Sequence, residues 1–255
     1  MATRHGFPVW YELVTPDPDA ATGFYQAVTG WTIDPAPAAG PDYRMIAGPD
    51  GGVAGMLRLD AAMQAGGARP TWLAYIGVDD PDHTAGQACD LGGGVVVPPT
   101  DIPGIGRFAL LTDPQGAPFY VMRGHSDAPS TSFAEHRVGR FGWNELSTTD
   151  GDVALAFYGA LFGWENRETM DMGPMGGYHY LDREETRLGA MVEMKGHPAG
   201  WRLYINVADI DAAVEAVRAG GGRVDMGPYA VPTGNVIVIG TDPQGAGFAL
   251  VGPGK

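Results

Sequence analysis

The sequence predicts an α+β protein built from four βαβββ units, and three observations lead to this prediction. The chain of 255 residues repeats itself once along its length, and each half alternates strand-like and helix-like segments twice. Its 40 glycines and 21 prolines indicate many short strands and turns. We therefore expect two related halves with much β-structure and a substantial core.

The internal repeat is visible at the start, middle and end of each half. Residues 10–13 (Trp-Tyr-Glu-Leu) return as residues 143–146 (Trp-Asn-Glu-Leu), and residues 112–117 (Thr-Asp-Pro-Gln-Gly-Ala) return intact as residues 241–246. All six tryptophans form pairs in this way. The polar segment 125–138 lacks periodicity and is predicted to link a first domain, residues 1–124, to a second domain, residues 139–255.

The first unit begins with a predicted strand over residues 9–14. Asp17 follows as a helix N-cap, Phe24 and Val28 lie on an apolar stripe, and Gly30 ends the helix. Two short strands, residues 43–47 and 53–59, complete the unit.

The same order recurs in the rest of the chain. The second unit has a strand over residues 72–78, a helix from residue 81 or 82 to residue 91, and strands near residues 95, 107–112 and 117–122. In the second half, helices are predicted over residues 153–161 and 210–219.

Composition narrows the class of function. The formal net charge of −14 has the wrong sign for a nucleic-acid-binding surface, and no apolar run has the length of a signal peptide or a membrane span. The single cysteine, Cys89, excludes an internal disulfide and is expected to be a small buried residue on a helix. A cytoplasmic protein with neither nucleic-acid nor membrane partners is expected.

The repeat resembles the vicinal oxygen chelate superfamily, which includes glyoxalase I, extradiol dioxygenases and bleomycin-resistance proteins. The resemblance rests on the strand, helix and Gly-Trp turn that open each half, on the helices ending in Leu-Gly-Gly or Ala-Gly-Gly, and on the closing Asp-Pro-Gln-Gly turns. The Trp-x-Glu-Leu openings are similar to those of a two-domain bacterial glyoxalase-like subfamily. The resemblance implies two tandem domains, in each of which eight strands form a curved, funnel-shaped mixed sheet.

The resemblance also implies a divalent metal held by His, Glu or Gln on the inner face of the funnel. The ligand positions fall on Trp10, Leu73 and Tyr120 in the first half, and on Trp143, Arg202 and Ala249 in the second half. None of these side chains is an imidazole or a carboxylate. We therefore expect no metal and no other cofactor; a metal-dependent glyoxalase or dioxygenase is the alternative if the alignment is displaced.

Strand alternation predicts which side chains share the inner face with these positions. Glu12 points to the same side as Trp10, and Glu145 to the same side as Trp143. By the same rule, the first funnel adds Leu73, Tyr75 and Tyr120, and the second adds Arg202, Tyr204 and Asn206.

Two roles are open for each glutamate. Glu145 either forms an ion pair with Arg202 or acts in catalysis. Glu12 either accepts backbone N–H groups or carries a raised pKa from burial and acts as a general base, with Tyr75 or Tyr120 as hydrogen-bond donors. The indoles of Trp10 and Trp143 either fill the core or form a wall for a flat ligand.

The predicted function is the binding of an organic small molecule, or metal-independent lyase or isomerase chemistry, in an aromatic funnel that bears a glutamate. A resistance protein that sequesters a drug or metabolite without turnover is a further alternative. The ligand is expected to be aromatic or apolar and neutral or cationic. The protein is expected to be a monomer or a homodimer.

Overall fold

The computed structural model of the protein describes residues 4–126 and 128–254. Within them the chain forms two open, curved, mixed sheets of eight strands each. The first sheet consists of β1 (Pro8–Thr15), β2 (Thr32–Ile33), β3 (Tyr43–Gly48), β4 (Gly51–Arg58), β5 (Thr71–Gly77), β6 (Gly94–Ile102), β7 (Gly106–Thr112) and β8 (Pro118–Gly124). The second consists of β9 (Phe141–Thr148), β10 (Thr169–Asp171), β11 (Gly177–Arg183), β12 (Thr186–Glu193), β13 (Gly200–Asn206), β14 (Arg223–Ala230), β15 (Val236–Thr241) and β16 (Gly247–Gly252).

In the part of the chain that the structure describes, five α-helices connect the strands. They are α1 (Pro18–Thr29), α2 (Ala61–Ala65), α3 (Pro81–Asp90), α4 (Gly151–Phe162) and α5 (Ile210–Ala219), and a short 3₁₀ helix covers Gly173–Met175. Within the described ranges, none of these helices combines the length and the apolar content that a membrane crossing requires.

The strand order confirms the four βαβββ units. The first sheet has the order β2-β3-β4-β1-β5-β8-β7-β6, and the second has the equivalent order β10-β11-β12-β9-β13-β16-β15-β14. In every βαβββ unit the first strand runs parallel to the last strand, as in the pairs β1–β4 and β5–β8. The strands that follow the helix pair with one another in antiparallel fashion, as in β3–β4 and β7–β8. The predicted α+β class with two glyoxalase-like domains is therefore confirmed.

Local sequence signals explain the helix boundaries. Each of the four long helices begins after an aspartate whose side chain accepts backbone N–H groups of the first turn: Asp17, Asp80, Asp150 and Asp209. Gly30 and Gly163 end α1 and α4 in the left-handed conformation that glycine adopts without strain. The sequence did not predict α2, because five residues are too few to show helical periodicity.

Cys89 is exposed, so the expectation that it is buried was wrong.

Two compact units can be distinguished, and each combines segments from both sequence halves. Unit 1 contains the chain before Trp10 together with Ala74–Ser130 and Trp143–Arg202. Unit 2 contains Trp10–Leu73, Thr131–Gly142 and the chain from Leu203 onward. In unit 1, α3 packs against α4; in unit 2, α1 packs against α5.

A buried aspartate of the closing turn accepts a hydrogen bond from a helix tyrosine in each unit. In unit 1 the Tyr158 hydroxyl donates to Oδ2 of Asp113 at 3.1 Å. In unit 2 the Tyr25 hydroxyl donates to Oδ2 of Asp242 at 3.0 Å and accepts a hydrogen bond from Nε1 of Trp72 at 2.8 Å. Burial raises the pKa of both aspartates, although their hydrogen bonds act in the opposite direction.

Gly139 and Phe141, which follow the predicted linker over residues 125–138, are packed in unit 2. Nε1 of Trp31 donates to the Gly139 carbonyl at 2.8 Å, and the Asn206 carbonyl accepts from the Gly139 N–H at 2.8 Å. Phe141 stacks on Tyr11 with ring centroids 3.8 Å apart. Unit 1 holds Gly6, the repeat equivalent of Gly139, in the same way, since Nε1 of Trp164 donates to the Gly6 carbonyl at 2.7 Å.

The raised aspartate pKa gives a stability prediction with a definite sign. The folded state holds the Asp242 proton more tightly than the unfolded chain does, because the pKa of this carboxyl is raised above its ordinary value of 3.8. As the pH rises from 3.8 through the raised pKa, ionisation of Asp242 therefore lowers the free energy of unfolding. Asp242→Asn should therefore gain stability relative to the wild type across this interval. Urea unfolding between about pH 3 and 7 measures the difference.

Asp42→Asn is the matched control, because the Arg44 and Arg58 guanidinium groups lower the pKa of Asp42. This variant should lose stability relative to the wild type as the pH rises from the lowered pKa of Asp42 to its ordinary value of 3.8. A flat difference between Asp242→Asn and the wild type at all pH values would contradict the assignment.

Candidate functional site

Four side chains of unit 1 form a continuous hydrogen-bonded chain on the second sheet, here called the second-sheet cluster. Nε1 of Trp143 donates to the Tyr178 hydroxyl at 2.9 Å, and this hydroxyl donates to Oε2 of Glu145 at 2.8 Å. Nη1 of Arg202 donates to Oε1 of Glu145 at 2.6 Å. The predicted ion pair between Glu145 and Arg202 is therefore present.

The donor and acceptor roles of the four side chains fix the direction of these hydrogen bonds. An indole N–H and a guanidinium only donate, and a carboxylate only accepts, so the Tyr178 hydroxyl must accept from Trp143 and donate to Glu145. The Glu145 side chain is 10% exposed, whereas that of Arg202 is 32% exposed. Glu145 therefore orients the tyrosine and the arginine, and Arg202 is the charged group of the cluster that solvent or a ligand reaches most readily.

An aromatic and sulfur-bearing surface extends the cluster along β11. The ring of Tyr180 lies edge-to-face with the rings of Trp143 and Tyr178, at centroid distances of 6.0 and 5.8 Å. The Arg187 guanidinium stacks 3.9 Å above the Tyr180 ring, and the Tyr180 hydroxyl lies 3.8 Å from the Met170 sulfur. The site thus offers flat apolar surfaces beside polar donors.

The equivalent first-sheet cluster, in unit 2, consists of Trp10, Glu12 and Tyr43. Nε1 of Trp10 donates to the Tyr43 hydroxyl at 3.0 Å, and Glu12 is only 2% exposed. Burial, and next the negative charge of Glu12, raise the pKa of Tyr43 well above its ordinary value, while the hydrogen bond from Trp10 opposes this shift. Tyr43 is therefore protonated at neutral pH and can act as a hydrogen-bond donor.

The amino-acid pattern alone did not point to Tyr43 and Tyr178, whose hydroxyls accept hydrogen bonds from the two indoles. Tyr43 lies opposite Leu57 of β4, and Tyr178 lies opposite Val192 of β12, so the two tyrosines occupy equivalent register positions. The available signal was the repeat itself, because both halves carry a tyrosine at the start of the same strand.

The structure places the remaining predicted site residues as follows. Tyr75 and Tyr120 are register partners in β5 and β8, and their rings stack at a centroid distance of 4.1 Å. Leu73 is buried, and the buried Tyr204 lies opposite Ala249. The Asn206 amide donates to two backbone carbonyls, those of Ala134 and Arg140, and so supports the segment before β9.

The residues at the metal-ligand positions implied by the resemblance do not fit a divalent cation. Those positions carry Trp10, Leu73 and Tyr120 in one half and Trp143, Arg202 and Ala249 in the other. The Glu145 oxygens already accept from Arg202 and Tyr178. Among residues 4–126 and 128–254, no three His, Cys, Asp or Glu side chains are grouped so that they could hold a metal ion.

Comparison with known families gives a match in each sequence half. Residues 140–250 match the family model described as Glyoxalase/Bleomycin resistance protein/Dioxygenase superfamily, and residues 10–122 match the one described as Glyoxalase-like domain.

Two curated proteins are similar to the chain over nearly all of its length. CFP32, a proposed glyoxylase of Mycobacterium tuberculosis, is 35% identical over 98% of this chain and 96% of its own length. The anthracycline biosynthesis protein DnrV of Streptomyces peucetius is 31% identical over 96% of this chain and 93% of its own.

Solved structures share the fold at low sequence identity. The 2,3-dioxygenase LapB from Pseudomonas sp. KL28 has a TM-score of 0.65 and 14% identity, over 99% of this chain and 94% of its own. The Mn(II)-bound glyoxalase from Novosphingobium aromaticivorans has a TM-score of 0.63 and 17% identity, over 99% and 83%. Homoprotocatechuate 2,3-dioxygenase from Brevibacterium fuscum, solved with 3,4-dihydroxyphenylacetate, has a TM-score of 0.67 and 14% identity, over 98% and 81%.

The first-sheet cluster depends on a glycine that the second-sheet cluster does not share. A Cβ atom added at Gly55 would lie 1.9 Å from the Tyr43 hydroxyl, whereas the equivalent position in the second half is Ala190. Gly55→Ala should displace the Tyr43 ring, break its hydrogen bond with Trp10 and cost ~1–3 kcal/mol of unfolding free energy. Urea unfolding and a crystal structure of the variant measure both effects.

Ala190→Gly provides the control, because it removes a methyl group at the equivalent position and creates no clash. It should cost less, ~0.5–1 kcal/mol, and should preserve the hydrogen bond between Trp143 and Tyr178. If Gly55→Ala left the Tyr43 hydroxyl in place, the steric argument would be wrong.

Proposed function

The chain belongs to the Glyoxalase/Bleomycin resistance protein/Dioxygenase superfamily, and from this premise we propose that it binds a flat organic molecule with oxygen substituents on the second-sheet cluster. The observation that carries the proposal is the chain of hydrogen bonds from Trp143 through Tyr178 and Glu145 to Arg202. These hydrogen bonds pre-orient the Arg202 guanidinium, which lowers the entropic cost of binding.

The chemistry of the cluster supports a particular kind of ligand. The Arg202 guanidinium is suited to carbonyl, phenolic or carboxylate oxygens, and the rings of Trp143 and Tyr180 are suited to an aromatic or other flat apolar body. Arg202 is paired with Glu145, so the cluster carries little net charge and favours a neutral ligand with acceptor oxygens over a strongly anionic one.

The relatives support the same class of molecule. DnrV is named for anthracycline biosynthesis, and the Brevibacterium fuscum dioxygenase was solved with 3,4-dihydroxyphenylacetate. Both names refer to aromatic compounds with oxygen substituents. In this proposal Glu145 is a positioning residue, because both of its oxygens hold other side chains.

Removal of the arginine tests the binding proposal. Arg202→Leu introduces the residue that the first half carries at the equivalent position, Leu73, and removes a charged hydrogen-bond donor worth ~1.5–3 kcal/mol. Affinity for an anthracycline or for 3,4-dihydroxyphenylacetate should fall roughly 10- to 100-fold. Calorimetric titration of both probes measures this change.

Two further variants make the result interpretable. Arg202→Lys keeps the ion pair with Glu145 but loses the planar guanidinium, so it should fold and still bind more weakly. Arg218→Leu removes an exposed arginine of α5 and should bind like the wild type. Unchanged affinity in Arg202→Leu, or the absence of saturable binding of both probes to the wild type, would refute the proposal.

A second candidate function rests on the first-sheet cluster. Glu12 is a buried carboxylate beside a protonated tyrosine, which is the pairing that a general base and a hydrogen-bond donor require for proton abstraction next to a carbonyl group. We propose that Glu12 acts as the base and Tyr43 as the hydrogen-bond donor in lyase or isomerase chemistry. The name of CFP32 supports a carbonyl substrate.

Glu12→Gln tests this second function, because the amide keeps the shape of the side chain but cannot take a proton. Turnover of a 2-oxoaldehyde in the presence of a thiol should fall by about 10²–10⁴-fold, the usual contribution of a general base. Glu193→Gln, which alters an exposed carboxylate at the end of β12, serves as the control. Equal turnover in Glu12→Gln and the wild type would remove Glu12 from the mechanism.

A further inference from the structure

Arg140 is a fully buried arginine with incomplete hydrogen bonding. Its Nη1 donates to the Gly52 carbonyl at 2.7 Å, whereas its Nε and Nη2 atoms are buried and have no hydrogen-bond partner among the residues that the structure describes. Burial of unpaired guanidinium donors is strongly unfavourable. A group of this kind in a folded protein is a candidate for a partner from outside the described chain.

Hydrogen bonds hold the backbone of Arg140 and of the residue before it. The Arg140 carbonyl accepts hydrogen bonds from both the backbone N–H and the side-chain amide of Asn206, at 2.9 and 3.2 Å. The preceding residue, Gly139, is held by the indole of Trp31 and by the Asn206 carbonyl. The backbone position of Arg140 is thus set by hydrogen bonds within unit 2.

A second guanidinium lies close to the first. Arg137 precedes Arg140 by one turn, and the Arg140 N–H donates to the Arg137 carbonyl at 3.1 Å. Burial, and next the positive charge of Arg137, lower the pKa of Arg140, and Asp50 offsets part of this effect. Arg137 is about half exposed and pairs with Asp50 at 2.7 Å, so the two arginines together carry more positive charge than Asp50 neutralises.

The internal repeat shows that the fold itself does not require an arginine here. The first half carries Arg4 and Phe7 at the positions equivalent to Arg137 and Arg140, with the same backbone hydrogen bond between them, at 3.3 Å. There the Arg4 guanidinium stacks on the Phe7 ring at 3.6 Å. An apolar ring therefore satisfies this position structurally, and the arginine of the second half has a different role.

We propose that Arg140 and Arg137 bind a small oxyanion between the segment before β9 and the start of β4 at Gly52. A planar guanidinium with two adjacent donors matches two oxygens of a phosphate, sulfate or carboxylate group, and the second guanidinium adds charge. This site is separate from the second-sheet cluster and does not depend on the proposed function.

Anion-dependent stability tests the proposal directly. Thermal unfolding of the full chain is measured with increasing inorganic phosphate or sulfate, against sodium chloride at equal ionic strength. The midpoint should rise with phosphate and sulfate in a saturable way, because a ligand that binds only the folded state stabilises it. An equal rise with chloride, or no saturable rise with either oxyanion, would overturn the proposal.

Variants taken from the repeat locate the effect. Arg140→Phe copies the first half and should fold, but it should show no response to phosphate. Arg137→Ala keeps Arg140 and should bind phosphate at least about tenfold more weakly in calorimetric titration. Arg4→Ala, the equivalent change in the first half, should respond like the wild type.

Two further outcomes decide between an anion and a solvent molecule. A crystal grown with phosphate should show the anion within hydrogen-bond distance of Nη2 of Arg140. A single water on that atom under the same conditions, or a full phosphate response in Arg140→Phe, would refute the oxyanion assignment.

Discussion

Each compact unit depends on a buried hydrogen bond between a closing-turn aspartate of one sequence half and a helix tyrosine of the other. Asp113 and Tyr158 form this bond in unit 1, and Asp242 and Tyr25 form it in unit 2. The second oxygen of each aspartate accepts backbone N–H groups of its own turn, at 2.8–2.9 Å. A half without its counterpart would leave a buried carboxylate oxygen without its hydroxyl donor, so the two halves stabilise each other's turns.

This constraint explains which positions of the repeat stay alike and which diverge. The aspartates, the tyrosines and the tryptophans Trp31 and Trp164, which bind the segments before β9 and β1, are the same in both halves because each has a buried polar partner. Side chains outside these bonds are freer to change. Leu73 in one half corresponds to Arg202 in the other, so two related clusters have acquired different charges.

The sequence predicted most of the fold because its strongest signals are local or repeated. Helix α5 was predicted over the observed residues, since its apolar stripe and its cap both lie within a few residues of each other. The ion pair of Glu145 with Arg202 followed from strand alternation. The roles of Tyr43 and Tyr178 did not, because they depend on which strand lies two places away in the sheet, and a single sequence carries no direct record of that pairing.

Divergence of the repeat also separates the chemistry of the two halves. Arg140 and Arg202 are arginines of the second half, at positions where the first half has Phe7 and Leu73. The Arg140 side chain is buried, whereas that of Arg202 is 32% exposed, and both guanidinium groups donate to protein oxygen atoms. We therefore propose recognition of ligand oxygens for the second half and proton transfer for the first half, which keeps a buried glutamate beside a protonated tyrosine.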